Sequence, residues 1–289
     1  MSAGAHPQAD SAAPILVVEG LQVAYPNREG QLVPVVRDVS FTLGRERLGL
    51  VGESGSGKSQ TGRAILGLSA PGAHVSAKRL EFRGIDLLAC TLAQRRALRG
   101  QKIAMVLQDP KYSLNPVMTI GQQVCESLQA HTKMSNTAAK EKALAALRAV
   151  QLDDAERVFS LYPHEVSGGM GQRAMIAMML IAQPELLIAD EPTSALDVTV
   201  QLEVLALLDS LVSQSAMGLL FISHDLRLVS RFCDRVLVMY RGKIVEEIAA
   251  HQLQHAKHPY TQGLLNCLPR LGQSRHPLPV LDRRPEWSL

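Results

Sequence analysis

Apolar residues along this chain alternate between two periods. Residues 15–25 and 35–43 read as strands. In the second, Val39, Phe41 and Leu43 share one face, and Ser40 and Thr42 the other. Residues 26–34, with Asn27 and Gly30, predict a polar turn region between them. Residues 47–51 form a short apolar strand that leads into a glycine-rich loop, and a helix should follow over about 58–68. Residues 103–107 predict another strand. From 119 to 159 the pattern is helical, with Ala143, Leu144, Leu147 and Val150 at helical spacing and Asn136 as a candidate N-cap. Strands return at 186–189, 218–222 and 236–240. The helix between the first two should carry Val198, Leu202, Leu205, Leu208 and Val212 on one face. Alternating strands and helices argue an α/β fold: a mainly parallel sheet with helices on both faces, interrupted by a helical insertion. The chain from 249 onward is polar and ends proline-rich, and there is no internal repeat.

Composition narrows this picture only slightly. A length of 289 residues and 46% hydrophobic content suffice for one large core or two smaller ones. The net charge of +3 gives no warrant for a nucleic-acid partner. Arg95, Arg96, Arg99 and Lys102 read as a solvated basic face, as do Lys140, Glu141 and Lys142 for a helix. No apolar run reaches the ~18 residues of a membrane span. The longest, 174–182, reads as a buried helix, and its methionines, with Met170, as core packing. The first residues lack a charged and an apolar signal region and read as a disordered lead-in over 1–13. The expected location is therefore cytoplasmic, with membrane association only through a partner. Cys90, Cys125, Cys233 and Cys267 form no CxxC pair and read as reduced thiols.

The chemistry begins at Gly52, Glu53, Ser54, Gly55, Ser56, Gly57, Lys58 and Ser59, which fit GxxxxGK[ST] between a strand and a helix. Glycines let consecutive backbone N–H groups turn inward around phosphate oxygens, and the following helix adds a favourable dipole. Lys58 would reach the β- and γ-phosphates, and the Ser59 hydroxyl would ligate Mg²⁺. Next, the apolar strand 186–189 ends in Asp190 and Glu191. Asp190 suits a Mg²⁺ shell, and Glu191 could polarise an attacking water. Thirdly, Ser167, Gly168 and Gly169 open an apolar helix, which makes a second anion site. One phosphate chain does not need two such sites in one domain. A second domain could use this one by closing over the first domain's ATP.

With these three elements in place, the chain resembles the ATP-binding cassette (ABC) family over nearly its whole length. Ser167-Gly168-Gly169 corresponds to the family signature. Tyr25 matches the aromatic that stacks on adenine, and Gln108 the Q-loop glutamine that touches Mg²⁺ and senses the membrane partner. Ser194-Ala195-Leu196-Asp197 matches the D-loop, and His224 the switch histidine on the γ-phosphate. The run from Gly52 through Gln60 to Thr61, Tyr162-Pro163-His164-Glu165, Met170 and His258-Pro259-Tyr260-Thr261 look like the dipeptide, oligopeptide and nickel importer branch. Gly171 departs from that branch, where arginine is usual. With only Cys267 in the tail, no iron–sulfur cluster is expected.

The resemblance implies a P-loop NTPase (RecA-like) core with an N-terminal antiparallel β subdomain and an inserted α-helical subdomain. The implied ATPase domain covers 14–250, with the insertion at about 110–165 and a C-terminal extension at 251–289. It implies an ATPase using ATP and Mg²⁺, with Glu191, His224 and Gln108 catalytic. The phosphate loop, Gln60 and Tyr25 would hold nucleotide, and Ser59, Gln108 and Asp190 the metal. Its implied partners are a second ATP-binding subunit, identical or paralogous, two membrane permease subunits and an extracytoplasmic solute-binding protein. The implied place is the cytoplasmic side of the inner membrane. An ABC ATPase without a transport role usually carries long coiled coils or paired cassettes, and neither is seen here. A GTPase would show Asn-Lys-x-Asp, which is absent. His251, His255 and His258 would share a helical face at metal-ligand spacing, yet a surface helix explains them as well.

Overall fold

The computed structural model describes residues 13–108, 113–194, 196–268 and 284–288. Nearly all of the expected lead-in, Asp109 and Pro110 after Gln108, and Ala195 of the D-loop lie outside the described residues.

Eleven strands form two sheets among the described residues. The first is antiparallel. It pairs β1 (Leu16–Pro26) with β2 (Leu32–Leu43) on one side, and with β4 (His74–Ser76) and β5 (Arg79–Phe82) on the other. β6 (Ile85–Asp86) extends it from β5. The turn between β1 and β2 is shorter than the polarity pattern suggests, because pairing continues to Pro26 and Leu32. β4 to β6 are short and give no usable period. The same holds for α2 (Leu92–Leu98), which Thr91 and Gln94 close with reciprocal capping bonds.

The second sheet has the order β11-β10-β3-β9-β8-β7. It comprises β3 (Arg47–Val51), β7 (Ile103–Val106), β8 (Leu186–Asp190), β9 (Gly218–Ser223), β10 (Arg235–Tyr240) and β11 (Lys243–Ala249). All pairs are parallel except the edge strand β11. Every residue of β7, β8 and β9 is buried, as expected of parallel strands covered on both faces.

The side-chain period of two divides the core. Leu187, Ala189, Leu219, Phe221, Val236 and Val238 join a cluster with the helices. Their neighbours Leu186, Ile188, Leu220, Ile222, Leu237 and Met239 join another with β1, β2 and α1 (Lys58–Leu66). The second face is thus covered by one helix and the antiparallel sheet rather than by helices alone.

The helical layer holds α3 (Ile120–Gln129), α4 (Asn136–Ala149), α5 (Ala155–Ser160), α6 (Gly168–Leu180), α7 (Val198–Ser215) and α8 (Leu226–Phe232). In α4, Ala143 and Leu147 are buried as the spacing predicts, but the cap is Ser135, whose Oγ accepts from Ala138 N; Asn136 is the first helical residue. The predicted face of α7 is half right. Leu205, Leu208 and Val212 are buried with Val204 and Leu207, whereas Val198 is 73% exposed and Leu202 62%. This helix is apolar on several faces, so periodicity alone could not choose the buried one. In α6, Ala174 to Ala177 are buried, and Met170, Met178 and Met179 pack half-buried against the core.

Beyond β11, a 3₁₀ turn (Ala250–His255) leads to α9 (Pro259–Asn266). Leu253 and Tyr260 join the helical-side core. The helical spacing expected of His251, His255 and His258 is broken here, because His258 is the N-cap of α9 and accepts from Tyr260 N. No helix among the described residues is long and apolar enough to cross a membrane.

Candidate functional site

The parallel strands all point their carboxyl ends the same way, and the predicted chemistry collects there. In open α/β sheets this is the edge where ligands bind. The phosphate loop leaves β3, Gln108 follows β7, Asp190 ends β8 and His224 follows β9.

The loop's shape follows from its neighbours. A Cβ at Gly52 would run into the Met239 carbonyl oxygen, and one at Gly57 would lie 2.6 Å from Val35 O. Gly57 also has φ 107°, a region few other residues tolerate. Ser56 N donates to Glu53 O at 3.2 Å, and Gly242 N to Ser56 O at 2.9 Å, so the β10–β11 turn braces the loop. Lys58, only 5% exposed, folds back so that Nζ donates to Gly52 O (2.9 Å) and Glu53 O (3.0 Å). Burial pushes its pKa below the usual lysine value, against the pull of Glu191, Asp190 and Glu53. No side chain caps α1 and no acidic residue sits in its first turn, so its N-terminal dipole faces the loop uncompensated. A Cβ at Gly55 would meet open space, and Ser54 shares the turn with it.

Asp190 is 4% exposed and accepts from Ser59 Oγ at 2.8 Å. Burial raises its pKa above the ordinary carboxylate value, while Ser59, Arg63 and Lys58 oppose the shift. Arg63 on α1 is a charge neighbour that no motif announced. Glu191 has φ 47°, an uncommon conformation for a residue with a side chain, and one that clusters at functional sites. Glu191 N donates to Ile222 O at 2.9 Å, and Glu191 O accepts from Ser194 N and Ser194 Oγ, which hold the strained turn. Both of its carboxylate oxygens are engaged. Gln108 Nε2 donates to Oε2 at 3.2 Å, and His224 Nδ1 lies 3.1 Å from Oε1. Gln108 and His224 are exposed, whereas Glu191 is sheltered.

Tyr25, near the end of β1, donates its hydroxyl to Gln60 Oε1 at 2.6 Å, which ties the antiparallel sheet to α1. Ser167 caps α6 and accepts from Met170 N. Gly168 and Gly169 lie against Leu196 and Val200. Among the described residues, Ser167, Gly168 and Gly169 share no hydrogen bond with the phosphate loop. Gly171 is buried inside α6. Tyr260 also reaches the loop, because its Oη accepts from Glu53 N at 3.1 Å. Its His-Pro-Tyr-Thr setting marked a branch of the family but gave no clue to this contact.

Ser59, Asp190 and Gln108 offer a hydroxyl, a carboxylate and an amide oxygen. An all-oxygen set with a buried carboxylate fits a hard dication such as Mg²⁺. The glycine cradle, Lys58 and the uncapped helix start fit a polyphosphate.

The family pattern described as ABC transporter matches residues 36–194. The chain is 46% identical over 274 residues to the glutathione import ATP-binding protein GsiA of Salmonella choleraesuis (strain SC-B67), covering 92% of this chain but 44% of that protein. It therefore spans less than half the length of that relative. It is 43% identical over 274 residues to the oligopeptide transport ATP-binding protein OppD of Haemophilus influenzae, covering 94% of this chain and 84% of that one. Its fold matches the dimeric structure of MJ0796, described as a bacterial ABC transporter cassette. The TM-score is 0.73 at 25% identity, over 81% of this chain and 98% of that one.

Proposed function

Because this chain belongs to the ABC transporter family, we propose that it is an ATP-hydrolysing subunit that powers an importer of dipeptides, oligopeptides or related small solutes such as glutathione. The observation that carries this reading is the convergence of Lys58, Ser59, Gln108, Asp190, Glu191 and His224 at one edge of the parallel sheet. Glu191 acts as general base and takes the proton of the water that attacks the γ-phosphate. Gln108 and His224 hold its two oxygens in place. Lys58 and the loop N–H groups bind the phosphates, and Tyr25 offers a ring for adenine. Ser59, Asp190 and Gln108 would hold Mg²⁺, which supplies charge neutralisation on the phosphate oxygens.

Ser167, Gly168 and Gly169 serve the site of a second ATP-binding subunit, identical or paralogous, so each ATP is a clamp between two domains. The dimeric assembly of MJ0796 supports this reading. The mechanical output goes to two permease subunits at the cytoplasmic face of the inner membrane, fed by an extracytoplasmic solute-binding protein. Nickel or another metal chelate is the second cargo class of the same branch.

Glu191→Gln tests the chemistry. The variant should bind ATP, lose hydrolysis by at least about a hundredfold and accumulate as a dimer with ATP in size-exclusion chromatography. Near-normal hydrolysis would remove Glu191 as the base. Lys58→Ala should weaken ATP binding, and unchanged affinity in titration would remove the cradle argument.

A further inference from the structure

The C-terminal extension reaches the phosphate loop through one hydroxyl. Tyr260 is fully buried, and its Oη accepts from the Glu53 N–H at 3.1 Å, across 207 residues of sequence. That N–H belongs to the same peptide unit as the Gly52 carbonyl, and this carbonyl accepts from Lys58 Nζ at 2.9 Å. A peptide unit is a rigid plane, so turning one end turns the other. The next carbonyl, Glu53 O, accepts from both Lys58 Nζ and Ser56 N. The Tyr260 hydroxyl and the Lys58 ammonium therefore grip one short stretch of backbone from its two ends.

Tyr260 is itself held firmly. Its ring packs on Tyr240 with centroids 4.3 Å apart, and on Trp287 at 6.1 Å. Glu246 Oε1 accepts from Lys257 N and His258 N, and His258 Nδ1 accepts from Tyr260 N, which fixes the start of α9. Tyr260 thus combines a packed, fully buried ring with a hydroxyl aimed at the base of the loop. We propose that Tyr260 is a positioning residue for the phosphate loop: through the peptide joining Gly52 and Glu53, it sets where Lys58 meets the nucleotide phosphates. The inference rests on the ATPase reading above.

Tyr260→Phe keeps the packed ring and removes the hydroxyl that accepts from Glu53 N. Titration of the full chain with Mg-ATP should show affinity weakened about three- to tenfold, the size of one lost hydrogen bond. Thr261→Val is the control. It removes a buried hydroxyl that has no partner among the described residues, and it should leave ATP affinity within about twofold of the wild type. In steady-state hydrolysis, KM should rise with the dissociation constant while kcat stays within about twofold. If Tyr260→Phe binds ATP as the wild type does, with or without a lower melting temperature, the contact is structural and the inference falls. A drop in kcat at unchanged KM overturns it as well. If the wild-type chain binds no ATP at all, the functional reading itself fails, and this inference goes with it.

Discussion

Asp190 stands at the end of a strand with every residue buried, and the Ser59 hydroxyl is its hydrogen-bond donor. Burial raises its pKa above the ordinary carboxylate value, so the fold holds a carboxylate whose charge burial disfavours. The sign follows directly. A carboxyl whose folded pKa lies above its unfolded value destabilises the fold as pH rises through that range. Asp190→Asn removes the penalty and keeps an oxygen for Ser59. Without nucleotide, this variant should melt at or above the wild-type temperature near neutral pH. The gap should close as pH falls toward ~4, the ordinary carboxylate range of the unfolded chain, where the penalty is lost. A gap that widens in acid would contradict the burial argument. ATP hydrolysis should be lost in the same protein, as happens when a site holds a costly group for function. The identity of Asp190 and Glu191 was legible as two carboxylates closing an apolar run. The left-handed turn at Glu191 was not, because Glu carries no local preference for it and Ile222 and Ser194 impose it from elsewhere.

At the scale of elements, local chemistry predicted existence better than edges. The helix α4 was visible from its apolar spacing, but Ser135 and Asn136 are both good caps and only the backbone shows which one is outside the helix. Ser135→Ala should cost ~1 kcal/mol in urea unfolding, against a few tenths for Asn136→Ala, since Asn136 makes only an exposed bond to Gln129. Equal costs would refute the cap assignment. The helix α7 shows the opposite limit. Its apolar residues cover more than one face, so the choice between Leu202 and Leu207 waits on what packs against it. Strands β7 to β9 were recognisable because burial on both faces leaves an unbroken apolar run. The short strands β4 to β6 have too few residues to show a period at all.

At the scale of the whole molecule, the extension from 251 onward looked separable by its composition, yet Leu253 and Tyr260 sit in the same cluster as the sheet and helices. Tyr260→Ala should therefore lower global stability by ~3–5 kcal/mol, with the urea midpoint shifting in a single transition. A separate early transition, with the main one unmoved, would make the extension a module of its own. The sequence by itself determined the α/β alternation, the phosphate loop and the carboxylates after β8, because each depends on residue types within a few positions of one another. It also placed Gln108, His224 and Ser167 in order through their resemblance to a family. Only the tertiary structure decided that Gln108 and His224 take opposite oxygens of Glu191, that a second sheet covers one face of the parallel one, and that Tyr260 meets Glu53. Those outcomes join residues dozens to hundreds of positions apart. Such contacts are set by how layers stack around the core, and periodicity along the chain carries no record of them.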